Sequence, residues 1–291
     1  MKPQVKVQPQ TALITGGSSG IGLAFAEALA EKGYNLVIVS NQDAIYTVAK
    51  DLTQRFKVTV TPIFLNLATD NAAHTLHEYC KKHRVTIDIL INNAGILLFD
   101  EIDDITDAEA IRILKLHVQT PTMLCKLFGT DMKDRGTGHI LIVSSITAWS
   151  TYPKLMLYAA TKRYLRDFGK ALHYEMKDYG VNVTTICPGA VNTDLFPLDQ
   201  KYRQRALRLG IMMEPDKVAK KSLKRLFKKR ASYVPGVSSK IMLFFLKIIS
   251  MNTVQWVRHK FPIFSRRRIL QRARARQREQ AQKQHNTWLL L

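Results

Sequence analysis

The first 190 residues alternate short runs of β-branched and aliphatic residues with longer helix-prone stretches. The runs lie at 11–15 (TALIT), 35–40 (NLVIVS), 58–65 (VTVTPIFL), 87–91 (IDILI), 140–144 (ILIVS) and 181–187 (VNVTTIC). Several are unbroken Val/Ile/Leu stretches, the mark of strands covered on both faces of a parallel sheet. Between them sit helical patterns such as 21–32, which halts at Gly33, where a left-handed cap is expected. Strand and helix alternating at this spacing predict an α/β fold, a doubly wound parallel sheet with helices on both faces.

Charge divides the chain differently. The 291 residues carry a formal net charge of +21, from 44 Lys and Arg against 23 Asp and Glu. Residues 201–291 hold 24 of the cations and only three acids (Glu214, Asp216, Glu279), so residues 1–200 hold 20 of each sign and are neutral. A hydrophobic share of 46% allows a sizeable core and excludes global disorder. We expect one main domain at 10–237, followed by a basic, amphipathic C-terminal extension at 238–291. Before that boundary, 201–209 and 215–230 read as basic helices and 232–236 (SYVPG) as a last short strand. Along 240–258, Lys240, Lys247, Ser250, Gln255 and Arg258 share roughly one helical face, with apolar residues filling most of the rest. Residues 266–286 are Arg/Gln-rich and helix-prone, and the sequence ends Trp288-Leu289-Leu290-Leu291.

Other classes are set aside on composition. Cys80, Cys125 and Cys187 show no CxxC spacing, so neither a disulfide framework nor a metal site is expected, and a reducing compartment is the default. No signal peptide is expected from the amino terminus. The nearest approach to a membrane span, 241–249 (IMLFFLKII), is short and interrupted by Lys247.

The chemistry-bearing motifs fall at or just beyond the carboxyl ends of the predicted strands, where open α/β sheets bind ligands. Thr15-Gly16-Gly17-Ser18-Ser19-Gly20-Ile21-Gly22 follows the first strand and opens a helix. Gly16 permits a tight turn, Gly20 lets backbone approach a pyrophosphate, and Gly22 allows close helix–strand packing. The helix amino terminus adds aligned N–H donors for phosphate. Asn92-Asn93-Ala94-Gly95 follows the fourth strand and Ser144-Ser145 the fifth. Tyr158-Ala159-Ala160-Thr161-Lys162 comes next on a helix, and Pro188-Gly189-Ala190-Val191-Asn192-Thr193 follows the sixth strand. In that order, TGxxxGxG, NNAG, Ser, YxxxK and PGxxxT resemble the short-chain dehydrogenase/reductase family over about residues 10–236. The resemblance implies a Rossmann-type fold and an NAD(P)-dependent oxidoreductase.

An i,i+4 spacing puts Tyr158 and Lys162 on one helical face. A tyrosine of ordinary pKa, about 10, exchanges protons poorly near neutrality, and a nearby ammonium is expected to lower that value. The resemblance makes Tyr158 the proton donor, Ser145 the group that polarises the substrate oxygen, and Lys162 the holder of the nicotinamide ribose hydroxyls. It assigns cofactor contacts to Gly16, Ser18, Ser19, Gly20, Ile21 and Gly22 in the turn, and to Asn93, Ala94 and Gly95 on the adenosine side. Pro188, Gly189, Val191 and Thr193 would meet the nicotinamide.

Three positions depart from the family pattern. His117 stands where the family usually has a catalytic Asn, as a candidate relay that holds a water or proton or as a satisfied core histidine. Asn66, beside Leu67, replaces an adenine-contacting Asp and can still offer an amide. After the second strand the chain has Ser40-Asn41-Gln42, with Asp43 late and no Arg. An acid there would bind a ribose 2′-hydroxyl and repel a 2′-phosphate. Its absence points to NADP, with NAD left open.

The basic last third invites two readings, nucleic acid or anionic lipid headgroups. Basic segments flank the Phe244/Phe245/Leu246/Ile248/Ile249 stretch, and Trp256 and the terminal WLLL suit an interface. No aromatic residues interleave the Arg-rich run as a base-stacking platform requires. Nucleic acid is therefore the weaker reading, and residues 240–291 are expected to adsorb to an anionic membrane surface. The resulting expectation is an NADP-dependent reductase of a hydrophobic, lipid-derived ketone (3-ketosphinganine-like or 3-oxoacyl-like), peripheral on the cytoplasmic face of a membrane. The alternatives are a catalytically weak cofactor-binding scaffold or sensor, and a steroid or small-alcohol dehydrogenase. Leu195, Phe196, Leu198, Tyr202 and Leu207 are candidate substrate-loop residues, with Trp149, Leu155 and Met156 as the other wall. The resemblance further implies a homodimer or homotetramer paired through helices at 107–129 and 158–179.

Overall fold

Strands made of uninterrupted apolar residues have no solvent face, so they must be sandwiched. The structure, a computed structural model, describes residues 9–149, 153–195 and 198–248. Its main sheet contains β1 (Thr11–Thr15), β2 (Asn35–Ser40), β3 (Val60–Phe64), β4 (Ile89–Asn92), β5 (Gly138–Val143), β6 (Val181–Ile186) and β9 (Ser232–Tyr233). The spatial order is β3-β2-β1-β4-β5-β6-β9, and every pairing is parallel. The small β7 (Ala190–Val191) and β8 (Met212–Met213) form a separate parallel pair. The expected doubly wound sheet is what forms, with the 232–236 segment supplying a two-residue edge strand.

Successive residues of β1 point to opposite faces, Ala12 and Ile14 to one cluster and Leu13 to the other. On the first face lie α1 (Gly20–Ala30), α2 (Ala44–Phe56) and α8 (Pro215–Phe227), through Phe25, Leu29, Leu52, Val218, Leu223 and Leu226. On the second lie α3 (Ala72–Lys82), α5 (Thr120–Asp134) and α6 (Met156–Met176), through Leu76, Leu124, Phe128, Met132 and Leu165. α4 (Asp107–Leu114) runs into a π-helical turn, Lys115–Gln119, before α5 begins. Helical backbone therefore continues through the expected 107–129 stretch, with a π-helical turn inserted at His117. Gly33 has φ +84°, the left-handed value expected after α1. α7 (Gln200–Arg208) precedes β8.

α9 (Val237–Ile248) closes the described chain, and the compact unit runs through Lys247. The boundary expected at 237/238 therefore falls at the start of a helix that packs on the body, because Ser239 is buried against Gly189. Phe196, Ser250, Gln255, Trp256, Arg258, the 266–286 run and the terminal Trp288-Leu289-Leu290-Leu291 lie outside the described residues. Among the described residues, no helix is long and apolar enough to cross a membrane.

Strand order reverses between β1 and β4, and the crevice at their carboxyl ends is the expected place for a ligand. Phe25, fully buried on α1, anchors the core beside that crevice. Phe25→Ala is expected to lower the unfolding free energy by about 3–5 kcal/mol. Denaturant melts should show it as a lower midpoint at unchanged slope.

Candidate active site

The glycine-rich turn is fastened to the end of β4. Asn93 donates from its amide to the carbonyls of Thr15 (2.9 Å) and Gly16 (3.4 Å). The Thr15 hydroxyl accepts from the Asn93 and Ala94 N–H groups. α1 then starts without a side-chain cap at Ser19, which leaves its first N–H groups directed at the crevice, an anion-binding arrangement. A Cβ on Gly22 would collide with the Gly16 carbonyl oxygen, so this glycine permits the turn to fold onto its own helix.

A cavity of about 720 Å³ opens here. It is lined by Gly16, Ser18, Ser19, Gly20 and Ile21 of the turn, Ser40 and Asn41 after β2, and Asn66 and Leu67 after β3. Asn93, Ala94, Gly95, Ser145, Tyr158, Lys162, Pro188, Gly189, Val191 and Thr193 complete the set read from sequence. Gly22 and His117, the other two residues singled out, do not line it. The size, the uncapped helix start and the polar groups at one end fit a dinucleotide.

At the other end are Ser145, Tyr158 and Lys162. Tyr158 and Lys162 are both buried, and the Ser145 hydroxyl is hydrogen-bonded to Tyr158. Lys162 Nζ donates to the Val143 carbonyl at 3.1 Å and lies 5.6 Å from the centre of the Tyr158 ring. Burial pushes Tyr158 up to about 12, against the lowering effect of the Ser145 hydrogen bond. Burial also takes Lys162 down to about 8, with Cys187 acting the other way. The lowered tyrosine value expected from a neighbouring ammonium is therefore not found: desolvation outweighs it, and the ammonium is turned to Val143. At neutral pH, Tyr158 is a protonated phenol and Lys162 is mostly cationic.

His117 is fully buried in the π-helical turn. Its Nε2 accepts from the Ile96 N–H at 3.0 Å, so the proton sits on Nδ1, which lies 3.0 Å from the Thr161 hydroxyl. Thr161 in turn donates to the Tyr158 carbonyl at 2.9 Å. Burial first, and then Lys162, hold the imidazole well below its ordinary pKa, hence neutral. Both ring nitrogens are occupied, linking the 93–97 loop to the catalytic helix. Gly95 has no Cβ, which would otherwise stand 2.8 Å from Nε2.

Of the expected substrate walls, Leu155 and Leu195 line the cavity, whereas Trp149, Met156, Leu198, Tyr202 and Leu207 do not. Trp149 instead lies under the Arg166 guanidinium, 4.7 Å from the ring centre. Ile96, Leu97, Leu116 and Met242 line the cavity and were not predicted. They come from the loop after β4, the π-helical turn and α9, none of which carries a local signal. At the cofactor end, Gln42 joins a cluster in which the Ser18 and Ser40 hydroxyls are 2.8 Å apart and Ser18 donates to Gln42 Oε1 at 2.9 Å. Asp43 is not among the lining residues.

Comparison with known proteins bears on the same residues. A family model described as short chain dehydrogenase matches residues 10–203. An uncharacterised oxidoreductase of Bacillus subtilis is 31% identical over 233 residues, covering 78% of this chain and 95% of the relative. The very-long-chain 3-oxoacyl-CoA reductase of Mus musculus is 30% identical over 190 residues, 63% of this chain and 60% of that protein. Among solved structures, the L-sorbose reductase of Gluconobacter frateurii, complexed with NADPH and L-sorbose, superposes with a TM-score of 0.70. It is 27% identical, and the match covers 79% of this chain and 97% of the other.

The lysine offers a direct check of its environment. A folded-state pKa lowered from 10.5 to about 8 means that the unfolded chain binds the proton more tightly, so stability rises with pH across that window. Between pH 8 and 10 the wild type is expected to gain about 2–3 kcal/mol relative to Lys162→Met. Parallel denaturation curves across that range would refute the buried lysine.

Proposed function

Because the chain belongs to the short-chain dehydrogenase family, whose members are NAD(P)-dependent oxidoreductases, we propose that it uses NADPH to reduce a hydrophobic, lipid-derived ketone of 3-ketosphinganine or 3-oxoacyl type. The observation that carries this reading is a buried, protonated Tyr158, hydrogen-bonded to Ser145 and beside Lys162, in a cavity to which apolar side chains contribute along with Arg112, Thr147 and Asp194. A carbonyl oxygen seated against the Ser145 and Tyr158 hydroxyls accepts from both. Tyr158 gives up its proton as the oxygen becomes an alkoxide, and the Lys162 ammonium steadies the tyrosinate left behind. When bound, the nicotinamide cofactor supplies the hydride. By the family resemblance, Lys162 would also hold the ribose hydroxyls.

Preference for NADP rests on the end of β2. Ser18, Ser40, Asn41 and Gln42 offer hydroxyls and amides, and no carboxylate lines that end to repel a 2′-phosphate. The NADPH-bound L-sorbose reductase and the mouse very-long-chain 3-oxoacyl-CoA reductase support the cofactor and the substrate class respectively. Ile96, Leu97, Leu116, Leu155, Leu195 and Met242 give the substrate end its apolar character. Pairing into a homodimer or homotetramer through α4–α5 and α6 is part of the same proposal.

The test is a panel of sphingoid, 3-oxoacyl and steroid ketones with NADPH and NADH. NADPH-dependent turnover of the long-chain ketones is expected, and a preference for steroids or NADH would overturn the assignment. Tyr158→Phe should lower kcat by about 10²–10⁴-fold while cofactor binding, read by fluorescence titration, stays close to wild type.

The second reading, a weakly catalytic scaffold, is motivated by His117 in place of Asn. We assign His117 a positioning role, because its hydrogen bonds join Ile96 to the Tyr158 helix. His117→Asn is then expected to lower kcat about tenfold with the cofactor KM nearly unchanged. A large gain in kcat would instead identify a degenerate enzyme.

A further inference from the structure

α9 is apolar on two sides, which a surface helix of a soluble body does not need to be. One side belongs to the cavity: Met242 lines it, and Ser239, 2% exposed, packs where a Cβ on Gly189 would sit 2.5 Å from its Oγ. The other side leaves Val237, Ile241, Phe244 and Phe245 at 73%, 54%, 62% and 54% exposure, spaced as a helical stripe. Lys240 is the one charged residue between positions 237 and 246, and it too is exposed. Apolar residues exposed together in this way mark a contact surface.

Charge decides which partner fits. Residues 201–291 carry 24 Lys and Arg against three acids. Lys201, Arg205 and Arg208 of α7, and Lys217, Lys220, Lys221 and Lys224 of α8, are exposed. A second copy of the chain carries the same excess of positive charge over residues 201–291. Anionic headgroups neutralise it, and phenyl rings beside a lysine partition into the headgroup–acyl boundary.

We propose that the outer face of α9 seats this protein on an anionic bilayer, which brings the cavity that Met242 helps to line next to the lipid. Docking stands independently of the reaction, whereas its purpose, passage of a bilayer-borne ketone past Met242, rests on the proposed function. The helix lies in the interface rather than across it.

The test uses the full chain with vesicles of phosphatidylcholine alone and of phosphatidylcholine with phosphatidylserine, read by co-sedimentation. Wild type is expected to bind the phosphatidylserine vesicles and to be released by salt. Phe244→Gln/Phe245→Gln should weaken that binding about tenfold, from lost apolar burial. The variant should keep wild-type circular dichroism, gel-filtration volume and turnover of a short soluble ketone. Ile241→Gln is the second variant should the double one misfold. Undiminished vesicle binding by the variants overturns the proposal. So does a shift to a smaller species with vesicle binding intact, which would seat a second copy on α9, or a preference for duplex DNA over vesicles at equal salt. Loss of vesicle binding with no ketone turned over by any form would sink the reaction reading and leave the docking face standing.

Discussion

The hydroxyl of Thr15 joins the two central strands at the place where strand order reverses. It donates to the Ile91 carbonyl at 3.2 Å and accepts from the N–H groups of Asn93 and Ala94. Asn93 returns its amide to the carbonyls of Thr15 and Gly16. The ends of β1 and β4, the glycine-rich turn and the start of α1 are thereby held as one piece. The crevice depends on that fastening, because the cavity opens at these strand ends.

The same burial that stabilises the sheet sets the state of the reacting groups. Tyr158 is kept as a phenol, and Lys162, though its pKa is taken down to about 8, stays mostly cationic at neutral pH. This arrangement costs stability, since among the described residues the buried ammonium donates to an uncharged acceptor, the Val143 carbonyl. His117 is held neutral and spans two segments by its hydrogen bonds. Its neutral ring spans from Ile96 to Thr161 and stands edge-on to Tyr158, with 5.8 Å between the ring centres. The π-helical turn that presents it is a local irregularity of the kind that recurs at functional sites.

Much of the fold was legible because its signals are local. The apolar runs at 11–15 and 35–40 became β1 and β2 at those bounds, since a residue's tendency to sit in a buried strand is written in its immediate neighbours. The ligand-facing residues of the turn, of NNAG and of PGxxxT line one cavity for the same reason: each follows a strand end. Less was legible where long-range packing decides. Nothing near Lys115 announces a π-helical turn, and nothing near Met242 places it in the cavity that Leu155 also lines. Trp149, expected at the substrate wall, was drawn away by Arg166, a contact set by how α6 lies against the loop after β5.

Order and residue type along the chain determined by themselves the alternating α/β class, the position of the glycine-rich turn and the i,i+4 pairing of Tyr158 with Lys162. They also placed the positive charge in the last third. Tertiary structure alone decided that Tyr158 is held as an acid, that His117 uses both nitrogens, and that α9 shares one face with the cavity and leaves the other exposed. The physical reason is common to all three. Desolvation, hydrogen-bond partnership and exposure belong to a side chain's surroundings, and those surroundings are assembled from segments tens of residues apart.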